Sequence, residues 1–331
     1  MDLLVIGGTR FVGRHLVRAA QTRGHHVTLL HREGVDPFPE AEHLHVDRDE
    51  GPAALAEALG DRRFDATIDV CAYWPRHVRD LAMALDGRGG HHVLVSSVSA
   101  YADPDAPGAD ESTPLLELPE GSEDPDALAM TDETYGPLKV AAERLAASLH
   151  DRLAVVRPTY VVGPYDPTDR FCWWLDRISR GGEVLAPGPA DAPLQLVDAA
   201  DMGDWVAGLA EDGVTGAYHA CSTDPGWTFA DMIEALSTAV APDATTVRWV
   251  DGDWLRAQGV SGADLPLWSE GGSEQVMALD PSAARRTGLR ARPIAETILD
   301  TWRWMRDGGA FRRDGSGLTA EREQELLSAS G

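Results

Sequence analysis

The strongest constraint on this chain is that short apolar runs alternate with amphipathic segments, a pattern that starts with a glycine turn. Asp2 to Ile6 form an apolar run that stops at Gly7-Gly8-Thr9-Arg10-Phe11-Val12-Gly13 and leads into an amphipathic helical pattern from Arg14 onward. Strand, glycine turn and helix in that order make a phosphate cradle. The N–H groups at the helix start face the anion, the helix dipole adds attraction, and missing side chains let a pyrophosphate approach. Tight turns need glycines in any case, so it is the position between a strand and a helix that predicts dinucleotide binding.

The alternation continues with strands at His26 to His31, His43 to Asp47, Ala66 to Cys71 and His91 to Ser97, and helices at Gly51 to Leu59 and His77 to Leu85. Strands joined through helices must pair in parallel, which predicts an α/β fold with a doubly wound sheet and ligands at the carboxyl ends of its strands. Gly7, Arg32, Asp47, Ala72 and Ser97 all fall at such ends. The stretch from Tyr101 to Thr134 is rich in Asp, Glu, Pro and Gly and reads as a surface flap near the substrate.

A helix from Tyr135 through Ala147 and a strand from Leu153 to Arg157 complete the sheet region, and after Pro158 the chain becomes rich in tryptophan. The expected organisation is a nucleotide-binding domain of residues 1–165 with a return segment at about 194–223, and a smaller substrate lobe of about 166–193 and 224–331. Trp173, Trp174, Trp227, Trp249, Trp254, Trp268, Trp302 and Trp304 in that lobe suit either its core or a ligand platform. Asp280-Pro281 is a good helix start, an acid followed by proline.

Tyr135 and Lys139 stand four residues apart, on one face of the expected helix. An ammonium beside a phenol favours the phenolate, so a group of pKa about 10 exchanges a proton nearer neutrality. A hydroxyl from Ser97 could hold a substrate oxygen against it. Such a pair also arises by chance; the strand ends around it give it weight. Arg32, at the end of the second strand, suits a 2′-phosphate better than a ribose diol, and would look the same as a solvated loop residue.

The 331 residues, 43% of them hydrophobic, are ample for a packed core. A formal charge of -25 repels phosphate backbones, so nucleic acid is not an expected partner and an anionic cofactor must meet local positive groups. Without a long apolar run or a basic leader the chain is expected in the cytoplasm, with no membrane partner. Cys71, Cys172 and Cys221 lie far apart and read as free thiols rather than a disulfide or a zinc site, so no structural metal is expected.

Together these motifs resemble the extended short-chain dehydrogenase/reductase family, of the nucleotide-sugar epimerase and dehydratase type. The resemblance rests on Gly7 to Gly13, Asp47, Cys71-Ala72-Tyr73, Ser96-Ser97 through Tyr101, Tyr135 to Lys139, Arg157-Pro158-Thr159, Gly163-Pro164, and the C-terminal residues Asp280-Pro281, Arg292-Pro293 and Glu296-Thr297. It implies a Rossmann-type fold, with Tyr135 as catalytic acid/base, Lys139 lowering its pKa and binding the nicotinamide ribose, and Ser97 as the hydroxyl partner, with Ser99 in reserve. It also implies a cofactor site of Gly7, Thr9, Arg10, Phe11, Val12, Gly13, His31, Arg32, Asp47, Arg48, Cys71, Ala72, Tyr73, Lys139, Pro158 and Tyr160, with Asp47 on the adenine and Pro158 and Tyr160 by the nicotinamide.

Two departures bear on the cofactor. Arg10 replaces the usual middle glycine, as in an atypical branch that includes chloroplast RNA-binding relatives, and His31 replaces the usual NAD-selecting acid; both point to NADP rather than NAD. Val98-Ser99 follow Ser97 where sugar dehydratases of the family carry an acid pair, which disfavours elimination. The expected function is an NADP(H)-dependent reductase or dehydrogenase acting on a carbonyl or hydroxyl of a small polar, sugar-like metabolite. The alternatives are a nucleotide-sugar-type epimerase that keeps its NAD(P) bound and a non-catalytic binding protein on the same fold. The expected partners are a small-molecule substrate and a second copy of the chain in a homodimer.

Overall fold

The structure, a computed structural model, describes residues 1–32, 34, 36–102, 109–224, 226–268, 278–309 and 317–330. The chain divides into two compact units, one of Met1–Thr159, Ala199–Cys221 and Leu279–Arg290, the other of Tyr160–Asp198, Ser222–Ala278 and Ala291–Gly331.

In the first unit β1 (Asp2–Ile6), α1 (Phe11–Thr22), β2 (His26–His31), β3 (Glu42–His45), α2 (Pro52–Leu59), β4 (Ala66–Asp69), α3 (Pro75–Leu85), β5 (His91–Val95), α4 (Asp132–Leu149) and β6 (Leu153–Pro158) alternate much as the apolar runs predict. The chain then enters the second unit with β7 (Tyr160–Val162), α5 (Arg170–Ser179), β8 (Glu183–Pro187) and β9 (Leu196–Asp198), and returns to the first with α6 (Ala199–Asp212) and β10 (Gly216–Ala220). The rest is α7 (Phe229–Val240), β11 (Thr246–Val250) and α8 (Gly252–Ala257) in the second unit, α9 (Ser282–Arg286) in the first, and α10 (Ile294–Arg306) and α11 (Ala320–Ala329) in the second.

The seven-stranded sheet of the first unit runs β10-β6-β5-β4-β1-β2-β3, parallel throughout. Helices cover both faces of such a sheet, so its central strands are apolar without alternation. Leu3, Leu4 and Val5 are fully buried. Successive strands step outward from β1 in one direction and from β4 in the other, and the crevice at the carboxyl ends of these two strands is the place where a doubly wound sheet takes its ligand. This is the Rossmann-type fold that the sequence predicts.

The second unit holds two parallel strand pairs, β8 with β11 and β7 with β9. Trp173, Trp174 and Trp268 are buried in its core, and Trp227, Trp249, Trp254 and Trp302 pack partly buried against it, so these tryptophans are core. Trp174 donates its indole N–H to the Pro266 carbonyl at 2.6 Å, which lets the ring be buried without an unpaired donor. The buried Arg177 guanidinium meets Glu323 at 2.6 Å.

Several boundaries differ from the sequence reading. The catalytic-candidate helix starts three residues before Tyr135, because Thr131 caps it and Thr134 returns the bond in a capping box. Leu279–Arg290 clusters with the first unit, while residues 160–165, 194–198 and 222–223 cluster with the second. Within the acidic stretch, residues 103–108 lie outside the described ones; further on, Asp126 accepts the Arg76 N–H at 2.6 Å and pairs with Arg79 at 2.8 Å. That end of the stretch is therefore tied to the start of α3. Cys71, Cys172 and Cys221 are free thiols, and among the described residues no helix is long and apolar enough to cross a membrane.

Glu143 on α4 and Arg157 on β6 form a buried pair at 2.6 and 3.1 Å, and Arg157 also donates to the Tyr101 hydroxyl at 3.1 Å. Removing one partner strands a buried charge. Glu143→Ala is expected to destabilise the first unit by about 3–5 kcal/mol in urea unfolding.

Candidate cofactor and catalytic site

After β1 the chain reverses through Gly7, whose φ of +85° suits glycine alone, and Gly13 lets α1 close down on the turn. A Cβ on Gly13 would overlap the Gly7 carbonyl oxygen. Arg10, in extended conformation, precedes the first helical residue and makes no side-chain cap, and the first turn of α1 has no acidic side chain. The N–H groups of Phe11, Val12 and Gly13 therefore have no intrahelical acceptor, and no neighbouring carboxylate in that turn opposes an anion. Phe11 itself has φ +34°, a strained backbone for a bulky residue. Close backbone, uncapped amides and an exposed arginine fit a pyrophosphate.

The Lys139 amine is buried, 3% exposed, and donates to the carbonyl oxygens of Ala72 and Val95, each at 2.8 Å. These carbonyls follow β4 and end β5, so the bonds fix α4 to the carboxyl edge of the sheet. Burial lowers the Lys139 pKa to about 8, against the attraction of Asp69, Glu143 and Cys71. Tyr135 lies one turn earlier on the same face of α4, half-buried. Tyr73 is 41% exposed with its ring 5.4 Å from the Lys139 nitrogen, and its phenol is pushed up by burial and then by the neighbouring Cys71 and Tyr135.

Ser97 lies in the turn just after β5. Its Oγ accepts the Ser99 N–H at 3.1 Å, capping the helical turn Val98–Ala100, and donates to the Ser99 hydroxyl at 3.1 Å. Ser97 is buried and Ser99 exposed. Gly136 is what brings this turn and α4 together, because a Cβ there would overlap the Ser99 carbonyl. The structure thus brings the segments of Ser97, Tyr135 and Lys139 together at one strand edge, beside Ala72.

At the other end of the crevice the expected residues part company. Arg32 is 68% exposed on its side chain and 3.8 Å from Asp47, a surface pair of little energetic weight. Asp47 accepts the Asp49 N–H at 3.1 Å. Arg48 instead turns inward, donating to both oxygens of Asp69 at 2.9 and 2.8 Å, to Cys71 Sγ at 3.3 Å and to the His77 carbonyl at 3.0 Å. Buried and so engaged, it braces the loop after β4 from behind. Asp69 also accepts the Cys71 N–H at 3.0 Å, and the guanidinium beside it keeps its carboxyl below the usual range despite burial. Sequence reasoning missed Asp69, although an acid closing the apolar run Ala66-Thr67-Ile68 was the signal. His31 is buried and turns its Nε2 to His43 at 2.8 Å. Pro158 is buried at the end of β6, level with Ala220 on β10. Tyr160, in the second unit, carries the Arg170 guanidinium 4.8 Å over its ring.

A parallel sheet of this order, with an anion-ready glycine turn at its switch point, defines a dinucleotide-binding α/β protein. The sequence model of the NAD dependent epimerase/dehydratase family matches residues 3–220, and the chain belongs to that family. Over 219 residues, 60% of this chain, it is 26% identical to the chloroplast stem-loop binding protein of 41 kDa b of Arabidopsis thaliana, and the match spans about half (52%) of that relative. UDP-N-acetylglucosamine 4-epimerase of Bacillus cereus superposes with a TM-score of 0.65 at 17% identity, over 92% of this chain and 99% of that one. The Bordetella bronchiseptica enzyme WbmG in complex with NAD gives 0.68 at 16% identity, over 93% and 95%. At these identities the two structures attest the fold.

The lowered Lys139 pKa has a consequence for stability. The unfolded chain holds this proton to near the ordinary value of 10.5, the native protein only to about 8, so between them the unfolded state binds more protons. Stability of the parent relative to Lys139→Met should therefore rise from pH 8 to pH 10.5, by on the order of 3 kcal/mol, in paired urea unfolding. The two carbonyls left unpaired in the variant add an offset that does not change with pH.

Proposed function

We propose that this protein is an NADP(H)-dependent oxidoreductase acting on a carbonyl or hydroxyl of a small polar, sugar-like metabolite, with Tyr135 as its acid/base. The observation that supports the reading is that Lys139 donates to the Ala72 and Val95 carbonyls, which docks the helix carrying Tyr135 against two strand ends. On this reading the amides of the Gly7 to Gly13 turn hold the pyrophosphate, Arg10 and Arg32 meet the 2′-phosphate, Asp47 takes the adenine and Lys139 the nicotinamide ribose. When bound, the nicotinamide supplies or accepts the hydride.

Tyr135 gives its proton to the substrate oxygen in reduction and takes it back in oxidation. Lys139, cationic below about pH 8, favours the phenolate left behind. Ser97 polarises the same oxygen. Tyr135→Phe removes one oxygen and leaves the ring, so turnover should fall at least about 100-fold with cofactor affinity little changed. Turnover within a few-fold of the parent would make Tyr135 structural and end this mechanism.

NADPH is expected to bind at least about tenfold more tightly than NADH, within reach of one charge-assisted contact of about 1.4 kcal/mol, and Arg32→Ala should narrow the gap. Titration of both cofactors decides it; a preference for NADH would remove the phosphate-site assignment. The family description favours a second reading, an epimerase that uses the same groups twice and keeps its cofactor. Oxidised dinucleotide retained through purification, with no requirement for added cofactor, would select it. The relative named for stem-loop binding raises RNA as a third possibility, which the charge of -25 opposes and a salt-dependent shift with RNA would reopen.

A further inference from the structure

The carboxyl end of the β2–β3 pair gathers three imidazoles and a carboxylate, of which the cofactor reading uses only His31. His43 and His45 are two apart on β3 and so project from the same face, and parallel register sets His31 directly opposite His45. The following loop brings back Asp36. Its Oδ1 lies 3.2 Å from His45 Nε2, 3.2 Å from His43 Nδ1 and 3.8 Å from His31 Nε2. One ligand atom each from His31, Asp36 and His45 falls within 4.8 Å of the others.

His43 Nε2 is 2.9 Å from the Phe38 carbonyl, which can only accept, so His43 donates there. Its Nδ1 lies 2.8 Å from His31 Nε2 and 3.2 Å from the Asp36 carboxylate, so His43 backs the cluster, and a metal on His31 would replace the bond between the two rings. Around a zinc ion with ligands at about 2.0–2.1 Å, tetrahedral neighbours are about 3.3 Å apart, close to the 3.2 and 3.8 Å separations from Asp36. The side chains of His31 and His43 are buried, 3% and 8% exposed, and form a fixed floor, while His45 and Asp36, at 44% and 47%, leave a way in from solvent.

We propose that His31, Asp36 and His45 bind a divalent transition-metal ion of the zinc class, with the fourth position open to solvent. Two imidazoles and one carboxylate suit zinc, cobalt, nickel or copper, and are a poor set for magnesium or calcium, which favour oxygen throughout. None of the three cysteines belongs to the cluster, so the cysteine spacing that argued against a structural metal does not speak to it.

The full chain, free of any added histidine tag, is titrated with Co²⁺ by visible absorption and with Zn²⁺ by equilibrium dialysis. One equivalent of each is expected, with Zn²⁺ displacing Co²⁺. Asp36→Asn and His45→Ala, both at well-exposed side chains, should each weaken binding at least about tenfold. Zn²⁺ should raise the thermal midpoint of the parent and not of the variants, a readout that also reports whether the variants fold. No saturable binding to the parent, or binding and thermal shifts in both variants equal to the parent's, would overturn the proposal.

Discussion

An amine buried at the edge of a sheet must find acceptors, and Lys139 finds two, the carbonyls of Ala72 and Val95. Those carbonyls belong to neighbouring strand ends, so one side chain fixes both the height of α4 and its rotation. The glycine at 136 completes the constraint by letting the same helix press on the turn of Ser97. Everything proposed for Tyr135 depends on that docking, because the phenol lies one turn from the amine and shares its helix face. Arg48 and Asp69 support the arrangement from behind, holding the loop that carries Ala72.

Charge acts in the opposite sense. A chain with a net charge of -25 is a poor general host for a dinucleotide, and the binding must come from local features. The turn after β1 has them: backbone donors, a helix dipole, and no acid in the first turn of α1. Arg10 and Arg32, two of the arginines proposed for the cofactor, are exposed. Arg48, the third arginine there, is drawn inward because Asp69 is buried and an unpaired carboxylate in that position would be costly.

The sheet was legible because strands buried on both faces must be apolar runs, and their alternation with amphipathic helices admits few topologies. Tyr135 and Lys139 were legible as a spacing. The start of their helix was not, since the Thr131 capping box outweighs the weak helical pattern of the acidic stretch before Tyr135. Nor was the inward turn of Arg48, which depends on a carboxylate 21 residues away that the sheet order β3-β2-β1-β4 brings close. The histidines were invisible for the same kind of reason. His31 meets His43 and His45 through strand register, and Asp36 through a loop whose path no local pattern encodes.

Under the proposed mechanism, the structural bond of Ser97 would also tune its chemistry. Its oxygen caps the turn by accepting the Ser99 N–H, which leaves its single proton to choose between Ser99 Oγ and a substrate oxygen. Giving up the bond to Ser99 costs about 1 kcal/mol, whereas a bond to an oxygen gaining negative charge is roughly twice as strong as a neutral one. The exchange is therefore unfavourable or neutral toward a resting carbonyl and favourable as charge develops. A serine so held would discriminate between ground state and transition state without moving its backbone, because the cap that fixes Oγ is the bond it retains.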